Sequence, residues 1–216
     1  MDPSTIPTQL QSTFDSLGLT ELTGIMITIT HWDPQEIWTL LSAALTKRPA
    51  VIAPFVTRPA EKVIDRKALG LAPATEAATG IYRLLSAQGK GDGTVVLQGS
   101  EVGYAFVEEA LPLIKKEGID LNVYYVASAE LFDLLPESEK ERIFPESIAQ
   151  EAMGITGFTL PTMYRWIRSG HGRRMTIHPF QKGHYLGSGQ AEMVLAEAGL
   201  DGESQFKAIV RYVKER

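Results

Sequence analysis

Chemistry in this chain would have to come from a small set of residues. Gly99 and Ser100 follow the apolar run Val95, Val96 and Leu97 and precede an amphipathic stretch. A turn placed so, at the carboxyl end of a strand, offers the free amides of a helix's first turn to an anion, and α/β domains often bind ligands there. The same pair also reads as a plain turn and cap. A second source is the basic stretch Arg165, Arg168, Arg173, Arg174 and Lys182, set in a region, 152–191, that contains no acidic residue. Guanidinium groups hold phosphate through paired hydrogen bonds, so this stretch can bind phosphate or dock an acidic partner surface. The alternative is a solvated face compensated by residues 130–151, which carry seven acids against Lys140 and Arg142. His171, His178 and His184 are loosely grouped, but no carboxylate lies between them and their spacing fits no metal pattern, so no metal site is expected.

Composition narrows the field further. A chain of 216 residues with 44% hydrophobic residues can bury a real core. It contains no cysteine, which removes disulfides, thiolate metal sites and cysteine nucleophiles. No Ser, His and acid grouping stands in a recognisable nucleophile context, so a hydrolase has little support. A net charge of −5 argues against general nucleic-acid binding. No signal-peptide pattern or long apolar span occurs, and a cytoplasmic protein without membrane contact is expected.

The elements that must position these residues alternate between strand and helix. Residues 94–118 form the clearest unit: a buried strand, a turn with Ser100 as N-cap, and a helix with Val102, Ala105, Phe106, Ala110, Leu113 and Ile114 on one face. Lys115, Lys116 and Gly118 mark its end, and Pro112 should kink it or open its last turn. Upstream, residues 24–30 alternate as a strand. Asp33, Pro34 and Glu36 supply an N-cap, a first-turn proline and a capping-box acid for a helix to about residue 46, and residues 50–56 read as a second strand. Further strands are predicted near 80–85, 121–127, within 148–158 and at 174–177, and helices at 129–135, 137–143, 161–169, 190–198 and 203–214. Residues 57–75 show no sustained period and read as a linker. The expected fold is α/β: a three-layer αβα sandwich with a mostly parallel sheet, preceded by a partial βαβ unit.

Gly91, Asp92 and Gly93 with Asn122 downstream match, in spacing alone, the magnesium and diphosphate motif of thiamine diphosphate enzymes. That motif needs its acid after a strand, whereas these glycines precede one, so a surface turn is the better reading. Other segments carry a fuller resemblance. The run from Gln98 to Val102, QGSEV, is similar to the Gly-Ser-Glu-Val that opens the C-terminal domain of transketolases. The run Ser128 to Asp133, SAELFD, resembles the segment after that domain's second strand, and Arg142, Ile143, Phe144 and Pro145 match a further family pattern. Upstream, Asp33 to Ile37, the strand to Val56, and Thr57 with Arg58 resemble the end of the family's pyrimidine-binding domain. On this resemblance residues 1–58 are the tail of that domain, 59–76 a linker and 77–216 a transketolase C-terminal-like domain.

The resemblance implies the C-terminal portion or subunit of an enzyme that moves two-carbon ketol units between sugar phosphates. Such a chain contributes assembly and packing and is inactive alone. Thiamine diphosphate and Mg would belong to the complete enzyme, not to this chain, because the diphosphate domain and the acid that activates the thiamine ring would lie before Met1. The implied partner is a chain or segment carrying the diphosphate-binding domain, in a dimeric assembly. No catalytic residue is expected here. Arg58 stands where the family holds the sugar phosphate, although Pro59 replaces the usual glutamine and residues 178–189 depart from the family's Asp, Arg, Phe and Gly run. The competing reading is a stand-alone interaction or regulatory module of the same fold.

Overall fold

The computed structural model describes residues 26–56, 62–183, 186–187 and 189–216. Strand β1 (Met26–Ile29), helix α1 (Ile37–Thr46) and strand β2 (Val51–Pro54) make one parallel βαβ unit. A four-stranded sheet follows, built from β3 (Ile81–Leu85), β4 (Gly93–Gln98), β5 (Leu121–Val126) and β6 (Met153–Thr156) in the order β3-β5-β4-β6. β4 runs parallel to both β5 and β6, and β3 lies antiparallel at the edge.

Both faces of this sheet are covered. After β4 comes α3, a continuous helical run through Ser100–Ala105, Phe106–Ala110 and Leu111–Glu117, preceded in the chain by the short α2 (Arg66–Leu69). The middle piece is a π-turn. It stands directly before Pro112, whose missing N–H and bulky ring disturb the ladder at that point, so the expected kink is realised as one widened turn. Val95, Leu97, Val123 and Tyr125 face α3 together with the closing helices α8 (Ala191–Ala198) and α9 (Gly202–Lys214). Val96, Tyr124 and Val126 face the other way, onto α4 (Ala129–Asp133), α5 (Glu137–Ile143), α6 (Glu146–Glu151) and Trp166. Alternation along each strand thus feeds two separate apolar layers, as a sheet covered on both sides requires. The result is the expected αβα sandwich.

Two expected elements differ. Residues 161–169 form only a 3-10 turn, Leu160–Met163, because Arg168 N donates to Ala149 O at 2.8 Å and that tertiary bond pulls the chain out of helical register. Residues 174–177 are not a strand: α7 (Gly170–Met175) runs into them, and a lone bridge between Ile155 and Ile177 is all that joins the sheet. Ser100 is not the N-cap of α3. Gly99 holds that position with φ 113, a value a side chain resists, and Ser100 is the first helical residue.

From residue 62 on, the stretch before β3 is packed against the βαβ unit and the sheet. Arg66, 6% exposed, reaches between the unit and the sheet: its Nε lies 2.7 Å from Asp33 Oδ2 and its Nη2 2.6 Å from Glu36 Oε1, both carboxylates fully buried. Tyr82 on β3 donates its hydroxyl to Glu36 and accepts from Trp32 Nε1 at 2.9 Å. The guanidinium also stacks 4.7 Å over the Trp32 ring. The Glu36 carboxyl is therefore a buried acceptor for Arg66 and Tyr82 and not the capping-box acid its spacing suggested. The other side of Trp32 meets α3 at Gly103, where a Cβ would come within 2.6 Å of Trp32 Cβ. β1 is tied in as well, by Thr30 N donating to Ala127 O at 2.7 Å. Replacing Arg66 by leucine strands two buried carboxylates, and urea unfolding should show a loss of about 3–5 kcal/mol. A loss under about 1 kcal/mol would show that the cluster does not hold the unit in place.

Candidate functional site

The connection leaving β4 runs to one face of the sheet and the connection leaving β5 to the other, so the carboxyl ends of these adjacent strands open a crevice between them. Doubly wound sheets place their ligands at such a switch point. A cavity of about 300 Å³ lies there, lined by Gln98 from β4, Val126 to Glu130 after β5, Thr28 and Thr30 from β1, and Phe55, Phe158, Thr162, Arg165 and Trp166.

Its polar groups are largely committed to holding the walls together. Gln98 Oε1 accepts from Thr156 Oγ1 at 3.0 Å and from Thr162 Oγ1 at 2.8 Å, which fixes the loop after β6. Glu130 Oε2 accepts from Thr28 Oγ1 at 2.7 Å and Thr28 N at 3.2 Å, which fixes β1. Ser128 caps α4 by accepting from Leu131 N. Among the described residues the crevice presents an amide, a carboxylate that already accepts from the Thr28 and Ser128 hydroxyls, and aromatic edges. Among the described residues no three His, Asp or Glu side chains gather to hold a metal ion. Asp92 and Asn122, the pair with magnesium-motif spacing, are spent on backbone: Asp92 Oδ2 accepts from Asp120 N at 2.8 Å and Asn122 Oδ1 from Ala87 N at 3.2 Å.

The residues singled out from sequence do not converge. Ser100 is 4% exposed and hydrogen-bonds with Tyr125, whose hydroxyl donates to Thr30 O at 2.6 Å; burial pushes that phenol well above its ordinary pKa. Arg165 makes a two-pronged pair with Asp133 and stacks 4.4 Å over Trp166. Arg168 pairs with Glu146 at 2.6 Å. Arg173 donates to Ile167 O and lies 4.6 Å over the Tyr164 ring, Arg174 is exposed on α7, and Lys182 donates to Glu197 O at 3.0 Å. Arg165 and Arg168 thus pair with acids from residues 130–151. His171 stacks on Tyr212, His178 accepts from Phe180 N, and Arg58 and His184 lie outside the described residues. The Gln98 and Glu130 anchors and the Arg66 cluster escaped sequence reading. QGSEV and SAELFD marked the first two positions but not what their side chains hold.

No family model matches the chain. A transketolase from Aquifex aeolicus is 29% identical over 154 residues, covering 69% of this chain and 21% of its own length. Transketolase from Leishmania mexicana superposes with a TM-score of 0.68 at 15% identity over 91% of this chain, and that from Campylobacter jejuni with 0.64 at 19% over 90%. The chain is transketolase-like. It spans 27% of each of these two transketolase structures, as a C-terminal fragment of one would. A split-gene transketolase described as an inactive beta4 tetramer also matches, with TM-score 0.52 and 14% identity over 88% of this chain and 58% of its own. Arg165 and Arg168 are half-exposed and ion-paired, and half-exposed pairs are worth little. Arg165→Ala and Arg168→Ala should each shift stability by less than about 1 kcal/mol in thermal melts. A larger loss would mark either pair as structural.

Proposed function

We propose that this chain is the C-terminal portion or subunit of a transketolase-like thiamine diphosphate enzyme that transfers two-carbon ketol units between sugar phosphates. It contributes assembly and packing and is inactive alone. The observation that supports this reading is the unfinished state of the βαβ unit. Among the described residues β2 pairs with β1 alone, and Val51, Phe55 and Val56 are half-exposed or more at that edge. Helix α1, IWTLLSAALT, has no charged residue, and its outer side leaves Trp38 78% and Leu45 64% exposed. A helix apolar around most of its circumference is built to be covered on both sides, and a two-stranded sheet with an open edge is built to be extended.

The covering element, on this reading, belongs to a partner chain or segment that carries the diphosphate-binding domain, in a dimeric, cytoplasmic assembly. The unit up to residue 58 is then the tail of a pyrimidine-binding domain, 59–76 the connection and 77–216 the C-terminal domain, with Arg58 directed to a substrate phosphate. Thiamine diphosphate with Mg would supply the carbanion chemistry of the complete enzyme. The described residues of this chain do not fit that group, since the Asp92 and Asn122 side chains are engaged with backbone amides and no acidic cluster stands elsewhere. The split-gene neighbour gives a precedent for a transketolase divided between chains.

Calorimetric titration with thiamine diphosphate and magnesium should give no binding to the chain alone. Co-purification from the source cell should yield a partner bearing the diphosphate domain, and the pair should bind the cofactor. Tight binding by the chain alone, or a partner without that domain, would overturn the proposal.

A further inference from the structure

The buried cluster at the root of α1 holds two carboxylates and one guanidinium. Asp33 and Glu36 are fully buried and Arg66 is 6% exposed, so with every group ionised the cluster carries an uncompensated negative charge away from water. Burying such a charge is costly, and the ordinary relief is a proton. The hydrogen bonds show which carboxylate takes it. Asp33 is held on both oxygens: Oδ1 accepts from Gln35 N at 3.0 Å, and Oδ2 from Gln35 Nε2 at 3.0 Å and Arg66 Nε at 2.7 Å. Both donors to Glu36, Arg66 Nη2 and the Tyr82 hydroxyl, act on Oε1. Glu36 Oε2 is buried with no hydrogen-bond partner among the described residues. An anionic oxygen in that position is unsupported, whereas a carboxylic acid with its proton on Oε2 leaves Asp33 and Arg66 as a balanced pair.

We propose that this cluster is a proton-operated latch: Glu36 is protonated when the βαβ unit is seated on the sheet, and loss of that proton loosens the unit. The groups around Glu36 come from every packed element: Asp33 from its own turn, Arg66 from α2, Tyr82 from β3 and Tyr125 from β5. Burial, only partly offset by Arg66 and Tyr82, pushes Glu36 from 4.5 up to about 7. An acid whose pKa is raised by folding favours the closed form in its protonated state. The latch is therefore firm towards pH 4.5 and loses that contribution as pH rises through about 7. His31 beside Asp33 works the other way: burial lowers its pKa, so its protonation at low pH weakens the fold. Because the loosened unit is the one that exposes α1 and β2, the latch would govern how readily this edge accepts whatever covers it.

Hydrogen exchange on the whole chain tests the latch, read as the difference between wild type and Glu36→Gln so that His31 cancels. After correction for intrinsic rates, the ratio of opening in wild type to opening in Glu36→Gln for amides in 26–46 should rise about tenfold or more from pH 5.5 to pH 8, while the ratio for β4 and β5 amides stays unchanged. Equal pH dependence in both proteins, or a rise spread evenly over the sheet, would overturn the proposal. Should Glu36→Gln fail to fold, the carboxyl carbon of Glu36 in the wild-type chain, followed by NMR, should titrate near pH 7, and a midpoint below about 5 would equally overturn it.

Discussion

The organisation of this chain depends on the buried contact that Arg66 makes with Asp33 and Glu36. Its guanidinium is the one positive group buried between the βαβ unit and the sheet among the described residues, and it is held from three directions: by the two carboxylates of the helix-leading turn, by Ala72 O and the Tyr82 hydroxyl, and by the Trp32 ring beneath it. The partners come from the turn before α1, from the residues after α2 and from β3. The contact therefore converts three weakly coupled pieces into one body, because any displacement leaves a charge buried without its counter-charge. Trp32 in turn packs closely on α3 because Gly103 has no Cβ to meet its Cβ and Cγ.

Around that contact the fold divides its polar groups between two jobs. At the carboxyl ends of β4 and β5, where a doubly wound sheet offers a ligand crevice, Gln98 and Glu130 use their side chains to tie down the loop after β6 and the strand β1. The crevice is thus braced by the groups that line it. Arg165, Arg168 and Arg173 are engaged with Asp133, Glu146 and Tyr164. Among the described residues the most exposed apolar side chains of the βαβ unit, Trp38, Leu45 and Val56, lie on α1 and at the end of β2. On the proposed reading this is the side that another chain or segment covers.

How much of this was legible beforehand follows from the range of each interaction. The strand and helix of 94–118 were readable because period, a glycine turn and a glycine stop are all local, and even Pro112 announced its disturbance, which the fold absorbs as a π-turn. The end of the helix expected at 161–169 was not readable, since the bond from Arg168 N to Ala149 O that breaks it comes from a segment far along the chain. Ser100 looked like a cap by residue type, yet Gly99 can adopt φ 113 and so takes the cap position, freeing Ser100 to face Tyr125.

The sequence by itself determined the alternation of strands and helices, the three-layer class, the absence of cysteine chemistry and, through QGSEV and SAELFD, the resemblance to transketolases. These depend on residue types at short spacing, which the chain carries wherever it folds. Tertiary structure alone decided that the Glu36 carboxyl is a buried acceptor for Arg66 and Tyr82 and not a capping acid, that Arg66 is a buried keystone, and that the basic stretch does not gather into one site. The physical reason is the same in each case. The role of a charged side chain is set by its distance from opposite charges and from water, and both are properties of segments brought together from distant parts of the chain.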